Sequence, residues 1–303
     1  GLGRSVTIVG TDMSMSVHRA LPRRIPLTYG TAELVERARS MRRGPVSLLV
    51  PPVDTDENAP GAADPAPFAR AHGLDGEHLN IVVVSRLVDW MKLEGVRAAV
   101  DAVAGLAPSL PVRLAVVGDG DARAGLAGRA DEVNAGLGVR AVAVTGPLAD
   151  PRPAYAWADV VVGMGSSVLR GMAFAKPCVV VGERGFAEPV TPETVDQFLW
   201  RGFFGVGAGA GAAERLGAEL RGLAGDPARR AGLGAWSRRL VVDRFGLAAG
   251  AAALDAQYRE AVSSRPGRRD VVVDGGSTAV RLAASRALPG RVRELLRGGE
   301  VRR

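Results

Sequence analysis

Residues 158–186, ADVVVGMGSSVLRGMAFAKPCVVVGERGF, decide how the rest of the chain is read. Val160–Val162 is a short apolar run of β-branched residues, which suits a strand buried on both faces. Gly163, Gly165, Ser166 and Ser167 then form a turn in which a serine is predicted to cap a helix over Val168–Ala175. Pro177 stops that helix, and Cys178–Val181 reads as a second buried strand. A Gly/Ser turn feeding a helix N-terminus presents backbone N–H groups and the positive end of the helix dipole, an arrangement suited to phosphate. The pattern alone also fits an ordinary strand–helix connection.

The same alternation continues upstream. Strands are predicted at Ile81–Val84, Leu114–Val117 and Ala141–Val144, with helices at Gly95–Leu106 and Arg123–Leu137 between them. Alternation of this length specifies an α/β fold, a Rossmann-like parallel sheet with helices on both faces and ligands at the C-terminal strand ends. After Phe204 the chain turns helical, over Ala212–Ala224, Asp226–Asp243 and Leu247–Val262. Asp226–Pro227 is a start signal, an N-cap residue followed by Pro at the first helical position.

Nearer the start, Val6–Val9 reads as a strand ending in Gly10–Thr11–Asp12. Thr31–Arg42 reads as a helix with Leu34, Val35 and Ala38 on one face, and Val46–Val50 as a strand. Asn58–Phe68, rich in Pro, Ala and Gly, reads as a linker. The expected organisation is therefore a partial N-terminal α/β segment over residues 1–57, a Rossmann-like domain over 58–262 and a basic tail over 263–303. Within the tail, Ser277–Leu296 is expected to carry one helix, interrupted at Pro289–Gly290, with a solvated basic face.

The 303 residues suffice for a full core in one large or two small domains. Hydrophobic content of 47% and charged content of 23% are those of a soluble globular protein, and no apolar run approaches the roughly 20 residues of a membrane span. The chain opens on Gly1 without Met or a signal-like segment, as expected of a stretch beginning inside a longer product. The single Cys178 excludes an intramolecular disulfide framework and points to a reduced, cytoplasmic setting. The net charge is +7, but the arginines occur among acids rather than gathered with aromatics, so no nucleic-acid partner is expected. A peripheral membrane contact is compatible with the sequence, but no motif points to one. Three histidines and one cysteine are too few and too dispersed for a zinc site. Lys92 and Lys176 are the only lysines, so each is a candidate for a role needing a compact ammonium.

Candidate chemistry clusters at predicted strand ends. Arg86, in Ser85–Arg86–Leu87, and Lys92 place a guanidinium and an ammonium just beyond a strand, suited to converge on two linked phosphates. Gly118–Asp119–Gly120–Asp121 resembles a dinucleotide fingerprint, but Arg123 stands where the third glycine belongs, so a nicotinamide cofactor is not expected. Thr145–Gly146–Pro147, followed by Asp150 and Tyr155, fits either the border of a base pocket or a plain turn. Glu183, directly after a strand and Gly182, is placed to accept from sugar or ribose hydroxyls, or to pair with Arg184.

In chain order these pieces resemble the C-terminal half of a retaining, family 4-type glycosyltransferase of the GT-B fold. The resemblance runs through Pro51–Pro52–Val53–Asp54, Ser85–Arg86–Leu87, Lys92–Leu93–Glu94–Gly95, Val117–Gly118–Asp119–Gly120 and Val144–Thr145–Gly146. It continues through Ala158–Asp159–Val160, Leu169–Arg170–Gly171–Met172–Ala173, Lys176–Pro177, Asp226–Pro227–Ala228–Arg229–Arg230 and Arg244–Phe245. It implies a donor domain that binds a nucleotide-diphosphate sugar. Arg86 and Lys92, with Gly165, Ser166 and Ser167, would hold the diphosphate; Gly118, Gly120, Thr145, Gly146, Leu169 and Glu183 would border nucleotide and sugar. Neither a metal nor a cofactor beyond the donor substrate is implied, and the acceptor is not specified.

The sequence departs from that family in two places. The family carries paired glutamates around the Gly-rich turn; here Arg170 stands at the second position, and the shortened turn Gly163–Ser167 has no acid. Glu183 and Glu188 are the nearest candidate carboxylates. The strand that in the family ends His-Gly-Thr-Asp has Val9 at the histidine position, so His18 receives no catalytic role and the catalytic residue stays open. Only the last part of an N-terminal acceptor domain is expected, with Leu247–Val262 crossing back to brace it. A non-catalytic remnant that binds nucleotide sugar is the alternative. A sugar-nucleotide epimerase of the same fold is a weaker one, because Val9 and the acid-free turn argue against it.

Overall fold

The computed structural model describes residues 7–18, 21–264 and 267–287. The first elements are strands β1 (Gly10–Asp12) and β2 (Leu27–Tyr29), helix α1 (Ala32–Met41) and strand β3 (Val46–Leu48). Helix α2 (Ala66–His72) leads into β4 (Leu79–Val84), α3 (Leu93–Leu106), β5 (Val112–Val117), α4 (Arg123–Leu137) and β6 (Val142–Gly146). Then come α5 (Arg152–Trp157), β7 (Val160–Gly163), α6 (Ser166–Ala173), β8 (Cys178–Val181) and β9 (Ala187–Pro189). The chain continues as helices α7 (Val195–Arg201), α8 (Ala212–Gly225), α9 (Pro227–Phe245), α10 (Leu247–Ser263) and α11 (Arg268–Ala287).

Two compact units result. One gathers the described residues up to Pro51, Leu199–Gly202 and those from Ala248 onward; the other comprises Pro52–Phe198 and Phe203–Leu247. This division departs from the boundaries expected at residues 58 and 263. Val53 belongs with the second unit because it bridges to Gly246 and its N–H donates to Phe245 O at 2.8 Å. The stretch read as a linker also ends in structure: Asp64 Oδ1 accepts the Ala66 N–H at 2.9 Å and starts α2, whose Phe68 packs edge-on to Trp157 at 5.7 Å.

In the first unit β1, β2 and β3 form a parallel sheet in that order. Of the strand expected over Val6–Val9, Val6 lies outside the described residues; the described strand is Gly10–Asp12, with Gly10 in register opposite Leu27. Thr31 caps α1, its hydroxyl accepting the Leu34 N–H at 3.2 Å, and Leu34, Val35 and Ala38 bury one face against Leu27 and Tyr29. On α10 the Gln257 amide donates to Leu48 O at 3.2 Å, so this helix braces β3. Helix α11 starts at Arg268 rather than Ser277; the break expected at Pro289–Gly290 lies outside the described residues.

The second unit is built on a six-stranded sheet in the order β6-β5-β4-β7-β8-β9, parallel except for the antiparallel edge strand β9. Val160, Val161 and Val162 are fully buried, as a run apolar on both faces requires. Each fully buried side chain of this size stabilises by about 1.5–3 kcal/mol relative to exposure. Helices flank the sheet: Leu93, Val96, Val100 and Val103 of α3 and Leu216, Leu220 and Leu223 of α8 share one core with it. The expected strands and helices of this unit are present. Sequence reading missed β2 of the first unit, and α2, α5, α7 and β9.

Candidate functional site

The order of the central sheet locates its crevice. The chain builds outward from β4 through β5 to β6, then returns to the other side of β4 with β7 and β8. The direction of build reverses between β4 and β7, and in open parallel sheets ligands bind outside the strand C-termini at such a point. Here β4 runs out into Ser85–Arg86–Leu87, and β7 into the Gly163–Ser167 turn.

The Arg86 loop is held on both sides of the arginine. Ser85 N–H donates to Val117 O at 3.0 Å, Leu87 N–H to Asp119 O at 2.8 Å, and Ala122 N–H to Leu87 O at 3.0 Å. The two glycines beyond β5 make this approach possible. A Cβ on Gly118 would lie 1.8 Å from Ser85 O, and one on Gly120 would lie 2.4 Å from Leu87 O. Their close backbone partner is therefore the Arg86 loop, which the sequence reading had left for a ligand. Leu87 is fully buried beneath the loop, while Arg86 itself is exposed.

Lys92 stands at the N-cap of α3, and the helix carries it across the end of the sheet. A Cβ on Gly95, in the first turn, would lie 2.5 Å from Val181 Cγ2, so this turn rests on the end of β8. Glu94 fastens it there, its carboxylate accepting the N–H groups of Arg184 at 2.9 Å and Gly185 at 2.5 Å. The segment Arg86–Lys92 thus connects the end of β4 to a helix whose first turn rests on the end of β8, and β7 lies between those two strands in the sheet. Burial, and then the neighbouring Arg86 guanidinium, push the Lys92 ammonium below its usual pKa. Neither cation has an ion-pair partner among the described residues.

At the end of β7, helix α6 begins two residues before the expected start, at Ser166. Its N-cap is Gly165, at φ 62°, without a side-chain cap; the predicted serine cap is absent. Ser167 Oγ instead donates back to Met164 O at 3.0 Å. Gly165 N–H is taken by Phe203 O, and the Val168 and Leu169 N–H groups both go to Gly165 O. The Ser166 and Ser167 N–H groups are left at the positive end of the helix. Space around Gly165 is open, with no heavy atom within 4 Å of a Cβ placed there.

The remaining expected positions divide. Thr145 and Gly146 end β6, but the Thr145 hydroxyl turns inward, 3.0 Å from Gly146 O, and a Cβ on Gly146 would meet Arg123 Nη2 at 2.9 Å. Leu169 is 2% exposed and is a core residue. Glu183 lies half-buried beyond β8, its backbone bridged to Val206, and Glu188 pairs with Val180 on β9. The alternative, an ion pair between Glu183 and Arg184, is not among the ion pairs of the described residues; the Arg184 backbone N–H goes to Glu94. Arg170 is exposed and lies within electrostatic reach of Asp150 and Tyr155. Lys176 is structural, its Nζ donating to Ala156 O at 3.3 Å. Cys178 is buried and its thiol pKa is raised by burial, so it is inert at neutral pH.

Sequence reading missed two residues of this edge. Glu94 was noted only as a neighbour of Lys92, and its role as a clamp depends on a turn ninety residues away. Trp90 is 58% exposed in the Arg86–Lys92 loop, followed by Met91 at φ 60°. An exposed tryptophan between two cations was the available signal.

Residues 78–203 match the family model of the group 1 glycosyl transferases. That stretch holds Arg86, Lys92, the Gly118–Gly120 turn, the Gly163–Ser167 turn and Glu183. The fold agrees with GT-B glycosyltransferases. A glycosyltransferase from Rickettsia africae superposes with a TM-score of 0.59 at 14% identity, over 77% of this chain and 63% of that one. Alr3699/HepE of Anabaena, solved with UDP and glucose, gives a TM-score of 0.61 at 14% identity over 83% and 71%. WaaG, a glycosyltransferase involved in lipopolysaccharide biosynthesis, gives 0.54 at 18% identity over 76% and 62%. The chain thus spans less than two thirds of the Rickettsia africae protein and of WaaG. No curated protein sequence matches it.

Proposed function

We propose that the chain binds a nucleotide-diphosphate sugar at the ends of β4 and β7 and transfers the sugar with retention, as a family 4-type glycosyltransferase. The reading rests on Arg86 and Lys92, which follow β4 and have no ion-pair partner among the described residues, and on the Ser166 and Ser167 N–H groups at the start of α6, which follows the adjacent strand β7. Two cations held close without a carboxylate raise each other's energy until an anion arrives. A diphosphate supplies that anion. As the bond between the sugar C1 and the diphosphate oxygen breaks, its electron pair leaves on the diphosphate, where Arg86, Lys92 and the helix N-terminus oppose the growing charge. The reading needs no cofactor beyond the donor.

Calorimetric titration with UDP tests it. Charge-assisted hydrogen bonds contribute about 1.5–3 kcal/mol each, so replacing both Arg86 and Lys92 by Ala is expected to weaken binding by several kcal/mol. Unchanged affinity in the double variant overturns the assignment. A second reading, donor binding without transfer, is favoured by Arg170 and by the acid-free Gly163–Ser167 turn. Sugar release from a bound UDP-sugar separates the two: tight binding with no release selects the second.

A further inference from the structure

Helix α11 is turned inside out. In a surface helix the apolar stripe faces the core and the charged side faces water, yet here the polar residues point inward. Asp274 and Thr278 are 7% and 8% exposed. The Asp274 carboxylate accepts the backbone N–H groups of Arg23 and Arg24, each at 2.9 Å. Asp270 pairs with Arg24 at 3.1 Å, and Arg281 donates to Thr278 Oγ1 at 2.9 Å. These bonds fix the rotation of the helix, and the opposite face is apolar apart from the exposed Arg269 near its start. Val272, Gly276, Ala279, Val280 and Ala283 recur on it at helical spacing, with Val273 beside them, and all are exposed. Val272, Val273 and Val280 are 56%, 66% and 68% exposed.

Charge selects what covers this face. Residues 263–303 carry ten arginines against two aspartates and two glutamates, nearly the whole excess of +7 in the chain. Both aspartates are spent inward, on Arg24 and on the backbone at Arg23 and Arg24. A second copy would bring the same positive segment against this one and be repelled. Nucleic acid would suit the charge but would strand the valines, and this face has no aromatic residue on which bases stack. An anionic bilayer answers both features, hydrocarbon for the valines and lipid phosphate or carboxylate for the arginines.

We propose that the outer face of α11 is a peripheral docking surface for an anionic membrane. The valine stripe lies at the headgroup boundary, and the arginine-rich segment supplies a salt-sensitive attraction. The proposal does not depend on the sugar-transfer reading. No helix among the described residues is long and apolar enough to cross a membrane.

The test is co-sedimentation of the full chain with vesicles of phosphatidylcholine alone or mixed with phosphatidylglycerol, at low and high salt. Binding is expected only to the mixed vesicles, and to fall at least tenfold at high salt. The double variant Val273→Asp, Val280→Asp should lose at least tenfold in vesicle affinity with an unchanged melting temperature and UDP affinity. The milder Val273→Gln, Val280→Gln pair should show an intermediate loss. Failure to bind the mixed vesicles overturns the proposal, as does equal binding to neutral ones or undiminished binding by the aspartate variant. Sedimentation velocity gives the rival outcome: a dimer dispersed by the same substitutions makes the face a contact between copies instead.

Discussion

The Glu94 carboxylate accepts the backbone N–H groups of both Arg184 and Gly185, at 2.9 and 2.5 Å. Arg184 and Gly185 are in the left-handed region, at φ 52° and 75°, so successive N–H groups point to one side and form a small anion-binding concavity. An acid in the first turn of α3 fills that concavity and also suits the helix dipole. The turn after β8 and the Lys92 end of α3 are thereby one piece.

Replacing Glu94 by Ala is expected to lower stability by about 1–2 kcal/mol, below the full strength of two charge-assisted bonds because the side chain is exposed. Urea unfolding measures it. Glu94→Gln should recover part of the loss through one retained acceptor. An alanine variant as stable as the parent would show that the turn holds its shape unaided.

The second prediction concerns the loop carrying Arg86. Gly118→Ala would force a methyl group to within 1.8 Å of Ser85 O, a backbone atom that cannot rotate away. Its φ of 150° adds strain for any other residue. The substitution should cost about 2–4 kcal/mol and weaken UDP binding in whatever fraction remains folded, because the displaced backbone carries Arg86, the arginine proposed to hold the diphosphate. Gly125→Ala, in open space on α4, is the control and should change neither. UDP affinity in Gly118→Ala equal to the parent's would mean that the loop position does not matter to binding.

The central sheet was legible because each of its long strands is a continuous apolar run bounded by turn residues, and each helix between them is long enough to show its period. The missed elements lack those features. Helices α5 and α7 are six and seven residues long, too short for a period, and β9 contains Pro189, which argues against a strand unless it lies at an edge. Helix α2 was hidden by composition, Pro and Ala reading as linker although Asp64 starts a helix there. At the proposed site, residue type and spacing single out Arg86 and Lys92, and the structure places the two cations near each other. The task of Gly118 and Gly120 was not, since whether a glycine admits a ligand or a neighbouring loop depends on what folds against it. The serine cap failed for a related reason: Gly165 reaches φ 62° without strain and starts the helix earlier, so Ser167 bonds back to Met164.

The last prediction uses the charge of Lys92. Burial and the nearby Arg86 hold its pKa below the 10.5 of an unfolded lysine. Below the lowered folded value the ammonium is charged in both states and the folded state bears the penalty; that penalty is relieved as pH rises from the folded value toward 10.5. Lys92→Met should therefore stabilise the unliganded protein at neutral pH, by about 0.5–1 kcal/mol, while weakening UDP binding. Binding itself should pull the other way, because a diphosphate favours the ammonium and raises its pKa. UDP affinity is expected to fall as pH rises through the lowered value, with proton uptake on binding in that range, read by calorimetry in buffers of different ionisation enthalpy. Removing one of the two causes, by Arg86→Gln, should move both the affinity loss and the uptake to higher pH. If Lys92→Met is destabilising, or if alkaline binding releases no buffer-dependent heat, Lys92 is held by contacts other than the diphosphate's, and the pairing of the two cations loses its function.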